Sequence, residues 1–133
     1  MVNKTRIATN AAPPATGTYS QAIRTGDLVF VTAQTGRNPE TGKLEDGLEA
    51  QTGRMFSNID AILNAAGCSA ADIVKVTLLL KDIKDFKAVD VIYSAWLPGL
   101  GVTPLPTRTA FQAAALPAGA LVMMDVVAAF PVD

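Results

Sequence analysis

Apolar positions recur along this chain in two periods, and the switch between them marks its elements. Leu28-Val29-Phe30-Val31-Thr32 has the length and β-branched content of a strand, with turn chemistry from Gly26-Asp27 before it. Asn38-Pro39-Glu40-Thr41-Gly42 reads as a turn. From Leu48 to Ala66 the period lengthens: Met55, Ile59, Ile62, Leu63 and Ala66 fall at helical spacing, interleaved with the polar Asn58, Asp60 and Asn64, and Gly67 supplies a stop. Ile73 to Leu80 returns to strand composition, and Phe86, Val89, Tyr93, Trp96 and Leu97 then mark a second amphipathic helix that Pro98-Gly99 ends. Thr103-Pro104-Leu105-Pro106 must be extended, because proline restricts itself and its predecessor. It leads into a strand from Thr107 to Ala114, and a final strand runs from Leu121 to Ala129. Ahead of all these, Ala12-Pro13-Pro14-Ala15-Thr16-Gly17 reads as an extended surface loop.

The order strands, helix, strand, helix, strands predicts an α+β fold, a mixed sheet with both helices on one face. Val76 to Leu80 and Leu121 to Val127 carry apolar residues on both sides, so the face without helices needs another cover. A homo-oligomer is the simplest one. The last two strands are expected to lie side by side.

Composition narrows the chemistry. The 133 residues fit a single domain spanning the whole chain, and with 50% hydrophobic and 17% charged residues they carry no signature of disorder. A net charge of −1 gives no general attraction for nucleic acid or an anionic membrane. Histidine is absent, which removes Ser-His-Asp and Cys-His catalysis and His-ligated zinc. The single Cys68 excludes an internal disulfide and a CxxC pair, and no metal site is expected. Without a signal-peptide run or a membrane-length apolar stretch, the cytoplasm is the default location. Gly99-Leu100-Gly101 lacks the preceding strand and following helix of a phosphate loop.

Two residues break the apolar pattern. Asp125 sits at the centre of Leu121 to Ala129, where a carboxylate is costly unless it is paired, hydrogen-bonded or open to a cleft. Arg108 enters a strand of Thr, Ala and Phe straight after the proline-rich loop, and its planar fork suits a carboxylate on a ligand or on Asp125. A structural ion pair or an edge position explains Asp125 equally well, and an arginine alone is more often a structural or surface group. Tyr19 follows Gly17-Thr18 and is either a pocket hydroxyl or a surface aromatic, and Thr32 adds a second hydroxyl at a strand end. Cys68, with no imidazole to activate it, reads as inert, and Met123-Met124 and Trp96 read as core or interface filling.

Several spaced motifs, in order along nearly the whole chain, resemble one family. Gly17-Thr18-Tyr19-Ser20-Gln21-Ala22, Asn38-Pro39-x-Thr41-Gly42, the helix from Asn58 to Gly67, Val74-Lys75-Val76-Thr77 with Lys81-Asp82, and Pro106-Thr107-Arg108-Thr109 are similar to the reactive intermediate deaminases, also called the YjgF or L-PSP endoribonuclease type. The resemblance implies a chorismate-mutase-like fold assembled as a homotrimer, with ligand sites between subunits. It implies hydrolysis of carboxylate-bearing enamines and imines such as 2-aminoacrylate to 2-keto acids and ammonia, without a cofactor. The family arginine that grips the substrate carboxylate maps onto Arg108 and the family tyrosine onto Tyr19. Asp125 stands for the family glutamate that orients water, and Ala110, in place of a cysteine, would act through its backbone carbonyl. Ala33, in place of a glycine, with Thr32 and Phe86 would shape the substrate pocket.

Other readings of the same chain are a specialised deaminase, such as one for 2-aminomuconate, and a trimeric metabolite-binding or chaperone-like protein without turnover. Nucleic-acid cleavage is least favoured: the chain has no histidine, no basic excess and only 6% aromatic residues.

Overall fold

The computed structural model describes residues 2–97 and 103–131. The expected stop at Pro98-Gly99 and the Gly99-Leu100-Gly101 string lie outside the described residues. The chain runs β1 (Thr5–Ile7), β2 (Ala22–Thr25), β3 (Leu28–Thr35), α1 (Leu48–Ala65), β4 (Ile73–Leu80), α2 (Phe86–Trp96), β5 (Thr107–Gln112) and β6 (Val122–Ala129), with short 3-10 turns between some elements. The strands form one sheet in the order β1-β2-β3-β6-β4-β5. β4 and β5 pair in parallel and every other neighbouring pair is antiparallel, so the sheet is mixed.

The core lies between one sheet face and the two helices. Val29 and Val31 of β3, Val76, Leu78 and Leu80 of β4, and Val122, Met124, Val126 and Ala128 of β6 are buried against Met55, Ile59, Ile62 and Leu63 of α1 and Val89 and Tyr93 of α2. The helices lock together through an aromatic cluster, in which Phe56 stacks on Trp96 at 4.5 Å between ring centroids and 4° between planes. Gly67 ends α1 as expected, at φ 82. The opposite sheet face has no helix. There Leu28, Phe30 and Phe111 are each at least 40% exposed in the single chain.

Two expectations change, and two features had no signal in the sequence. β5 and β6 are not neighbours, because β4 lies between them. The parallel β4–β5 pairing uses α2 as its crossover, which leaves β6 to insert antiparallel on the other edge of β4. β1 and β2 were invisible as strands: they are three and four residues long and carry no sustained alternation. The loop at Ala12 to Gly17 is not wholly on the surface, since Ala12 and Pro13 are buried. The buried Gln21 pins it, donating from Nε2 to the carbonyls of Thr9 at 3.0 Å and Pro13 at 2.8 Å and accepting from the Thr9 amide at 2.7 Å. Finally, Asn58 belongs to no polar helix face. It is fully buried, and it donates to the carbonyls of Thr35 at 3.2 Å and Arg37 at 2.9 Å.

The end of β3 approaches α1 so closely that a Cβ at Gly36 would stand 2.4 Å from the Gln51 Cα and carbonyl oxygen. Gly36→Ala should therefore destabilise the fold by at least the ~1–3 kcal/mol typical of overpacking, read as a loss in urea midpoint at unchanged slope. A second prediction concerns Asp60, whose carboxylate accepts from Trp96 Nε1 at 3.0 Å between the helices. Burial pushes its pKa above the usual carboxylate value, the Trp96 hydrogen bond opposing the shift. The folded state thus holds this proton more tightly than the unfolded chain, and stability gained from Asp60 is present at low pH and lost as pH rises through the folded pKa. Asp60→Asn keeps an acceptor for Trp96 and should raise the Tm at pH 7, with a smaller gain as pH falls towards 4.

Candidate functional site

Two groups of site residues are built on opposite sides of the sheet. The first starts from an irregularity in β3. Its pairing with β6 slips between Val31, opposite Val126, and Gln34, opposite Met124, so that Thr32 and Ala33 together face Asp125 in a β-bulge. The Thr32 amide, turned away from the ladder with β6, donates instead to the Gln21 carbonyl at 2.8 Å. Thr32 and Ala33 then line an open cleft of about 690 Å³ with Tyr19, Arg37, Lys43 and Met123. Tyr19 is half exposed, and its hydroxyl accepts from the Thr16 amide at 3.4 Å.

Two buried amides of α1 hold the walls of this cleft. Asn58 fixes the Thr35 and Arg37 carbonyls, and Gln51 accepts from the Leu121 amide at 2.9 Å while donating to the Glu45 carbonyl at 3.0 Å. One helix therefore ties down the end of β3, the loop after it and the start of β6. Ala118, on the rim, is held at φ 55, the left-handed region that costs a non-glycine residue free energy.

The second group surrounds Arg108 on β5. Its register partner is Val76, so its side chain lies on the helix side of the sheet. The guanidinium donates from Nη1 to Asp90 Oδ1 at 2.6 Å and sits 5.0 Å from the Phe86 ring centroid and 4.9 Å from that of Tyr93. Burial raises the Tyr93 pKa, with the Arg108 charge opposing the rise and Asp90 adding to it. The backbone of β5 adds acceptors. The Ala113 amide bonds the Leu80 carbonyl at 2.9 Å, and strand alternation then turns the carbonyls of Arg108 and Ala110 away from β4, towards the free edge of the sheet.

Thus Arg108, Phe86 and the Ala110 carbonyl come together, as do Tyr19, Thr32 and Ala33, but the two sets do not meet within one chain. β3 and β5 are separated by β6 and β4, about 14 Å at ordinary strand spacing, and the two sets use different faces. Arg108, for which a ligand carboxylate or Asp125 was the expected partner, pairs with Asp90 instead, and Asp125 faces the Thr32–Ala33 bulge without lining the cleft. It stands opposite Thr77, which is opposite Thr109, in a polar row on the uncovered face. The β6 residue in the cleft wall is Met123, one pleat earlier. Cys68 is buried, and burial pushes its thiol pKa up, in keeping with an inert group. Among the described residues no three His, Cys, Asp or Glu side chains converge to hold a metal ion.

The endoribonuclease L-PSP family model matches residues 9–130. The chain belongs to the endoribonuclease L-PSP family. Among curated L-PSP relatives, it is 40% identical over 128 residues to Reactive Intermediate Deaminase A, chloroplastic, of Arabidopsis thaliana, covering 96% of this chain and 66% of that protein. It is 40% identical over 123 residues to the 2-iminobutanoate/2-iminopropanoate deaminase of Rattus norvegicus, covering 92% and 87% of the two chains. The crystal structure of a putative endoribonuclease L-PSP from Entamoeba histolytica superposes with a TM-score of 0.90 at 37% identity, covering 96% of this chain and all of that one. The α+β L-PSP fold expected from the motifs is the fold observed.

Asp90, Tyr93, Arg37, Lys43 and Met123 escaped sequence reasoning. Asp90 and Tyr93 share one helix turn of α2, yet only the β4–β5 crossover shows that this turn faces Arg108. Arg37 directly precedes the Asn38-Pro39 turn, and that was its one available signal. Asp90 holds the Arg108 guanidinium through their ion pair. With both side chains partly exposed, their pairing adds ~1 kcal/mol or less to stability. Asp90→Ala should raise KM several-fold with little change in kcat or Tm, and Asp90→Asn, which retains an acceptor, should restore KM.

Proposed function

We propose that this chain is a hydrolytic deaminase of reactive enamines and imines carrying a carboxylate, the 2-aminoacrylate class, working as a homotrimer with sites between subunits. The observation that carries the reading is Arg108, presented at a free strand edge beside the outward carbonyl of Ala110. The Arabidopsis and rat relatives, both deaminases by name, supply the reaction class. The exposed apolar face and the division of the site within one chain support an assembly in which β5 of one copy closes the Tyr19 cleft of the next.

In this scheme Asp90 occupies Nη1 of Arg108 and leaves the rest of the guanidinium fork for the substrate carboxylate. Phe86 and Tyr93 keep the guanidinium in place, and Tyr19 and Thr32 offer hydroxyls to the imine end from the other copy. Water, accepted by the Ala110 carbonyl, adds through its oxygen to the imine carbon. The carbon–nitrogen bond then breaks, the nitrogen leaves with its protons as ammonia, and the carbonyl of the 2-keto acid forms. No oxidation occurs, and an already electrophilic imine asks mainly for orientation. Asp125 stands opposite the bulge but does not line the cleft of a single copy, and it is given no contact with reacting atoms.

No helix among the described residues is long and apolar enough to cross a membrane. A cytoplasmic setting fits this reading, while the Arabidopsis relative is named as chloroplastic.

The test is ammonia and keto-acid release from 2-aminoacrylate generated in situ, with semicarbazide competing for the imine. Wild type should accelerate release, and Arg108→Ala should lose ~2 kcal/mol of transition-state binding, roughly thirtyfold in kcat/KM. Asp125→Asn should keep most of kcat/KM. Equal activity of wild type and Arg108→Ala would overturn the anchor, and a loss in Asp125→Asn matching that in Arg108→Ala would return the water to Asp125.

A further inference from the structure

The Tyr19 cleft has a charge that hydrolysis of a small monocarboxylic imine does not require. Its lining carries two cations, Arg37 and Lys43, and no Asp or Glu. Arg37 is half-buried, and among the described residues no carboxylate lies within 4.0 Å of its guanidinium. The nearest acid along the loop is already committed: Glu45 Oε2 pairs with Arg54 Nε at 3.1 Å and also accepts from Asn38. Glu40 is on the exposed turn beyond and does not line the cleft. A partly desolvated arginine without a counter-ion costs free energy unless an anion arrives with the ligand.

The backbone beneath Arg37 is rigid. Asn58 grips its carbonyl, Gly36 is packed against Gln51 with no space for a side chain, and the Glu45 amide donates to the Gly36 carbonyl at 2.9 Å. The guanidinium thus projects from a fixed base, as a specificity contact requires. Thr16, Tyr19 and Thr32 add hydroxyls around it, and Met123 and Leu44 supply apolar wall between them. Such a cleft suits a carbon chain with a charged far end.

We propose that Arg37, assisted by Lys43, forms a second anion subsite that selects dicarboxylic imines, with one carboxylate on Arg108 of a neighbouring copy and the other on Arg37. This deepens the deaminase reading and rests on it. The enzyme would then act on imines derived from acidic amino acids or from other dicarboxylates in preference to those from alanine or serine. Supply of such substrates requires an upstream oxidation or elimination at an α-amino dicarboxylate, and the product is a dicarboxylic 2-keto acid.

The experiment compares 2-iminoglutarate with 2-iminopropanoate, each generated in situ by an amino-acid oxidase and followed by semicarbazide competition. Wild type should show at least a tenfold higher kcat/KM for the dicarboxylic imine. Arg37→Gln should reduce that ratio about tenfold and Arg37→Glu should reverse it. Because the backbone of Arg37, not its side chain, carries the structural hydrogen bond, these variants should fold with wild-type Tm. Calorimetry adds a readout without turnover: glutarate should bind wild type more tightly than butyrate, and Arg37→Gln should erase the difference. A wild-type ratio near one, or a ratio unmoved by Arg37→Gln, would overturn the subsite while leaving the deaminase intact. Failure of wild type to accelerate either reaction would overturn the deaminase reading and the subsite with it.

Discussion

The antiparallel pairing of β6 between β3 and β4 is the constraint on which the placement of every functional group depends. Because β6 fills that position, β5 is left as a free edge carrying Arg108 and the outward carbonyl of Ala110. The mismatch of β6 with β3 is absorbed by the bulge at Thr32 and Ala33, which opens the Tyr19 cleft. One pairing therefore sets the positions of both groups and holds them apart. Its stability comes from the alternate residues Val122, Met124, Val126 and Ala128, all fully buried under α1 and α2.

The same alternation leaves the other half of the sheet unfinished. Phe30 and Val127 form one apolar row across the uncovered face and Met123, Leu79 and Phe111 another, with Asp125, Thr77 and Thr109 as a polar row between them. Covering those apolar rows with a second copy would add hydrophobic stabilisation at about 25 cal/mol per Å², and the same contact would bring an Arg108 edge within reach of a cleft. Assembly and catalysis then share one driving force. The buried amides Gln51 and Asn58 fix the cleft walls within a single copy.

Much of the fold was legible because its long elements carry strong periodicity. Ile73 to Leu80 was readable to the residue, and Leu48 to Ala66 differs from the helix observed by one residue. β1 and β2 were not, because pairing with β3 and the Gln21 hydrogen bonds make them strands rather than any pattern of their own. Arg108 stood out as a charge in an apolar strand, while Phe86, expected beside Thr32 and Ala33, packs against Arg108 instead. The expected adjacency of the last two strands, and with it the option of an Arg108–Asp125 pair, failed because order in sequence does not set adjacency in a sheet with a parallel crossover. Asn58 illustrates the converse. A polar residue in a helix reads as solvent-facing, and nothing in the pattern reveals that two strand-end carbonyls need its amide.

The central claim is that one active site takes its two halves from different copies of the chain, and subunit mixing tests it most directly. Arg108→Ala lacks the carboxylate anchor, and Ala33→Trp fills the cleft, so each variant alone should be inactive on 2-aminoacrylate. Unfolded together and refolded, they should recover about a quarter of wild-type activity, since random assembly pairs an intact cleft with an intact Arg108 at that frequency. A mixture of assembled but inactive mixed oligomers would contradict the account and place the whole site within one chain.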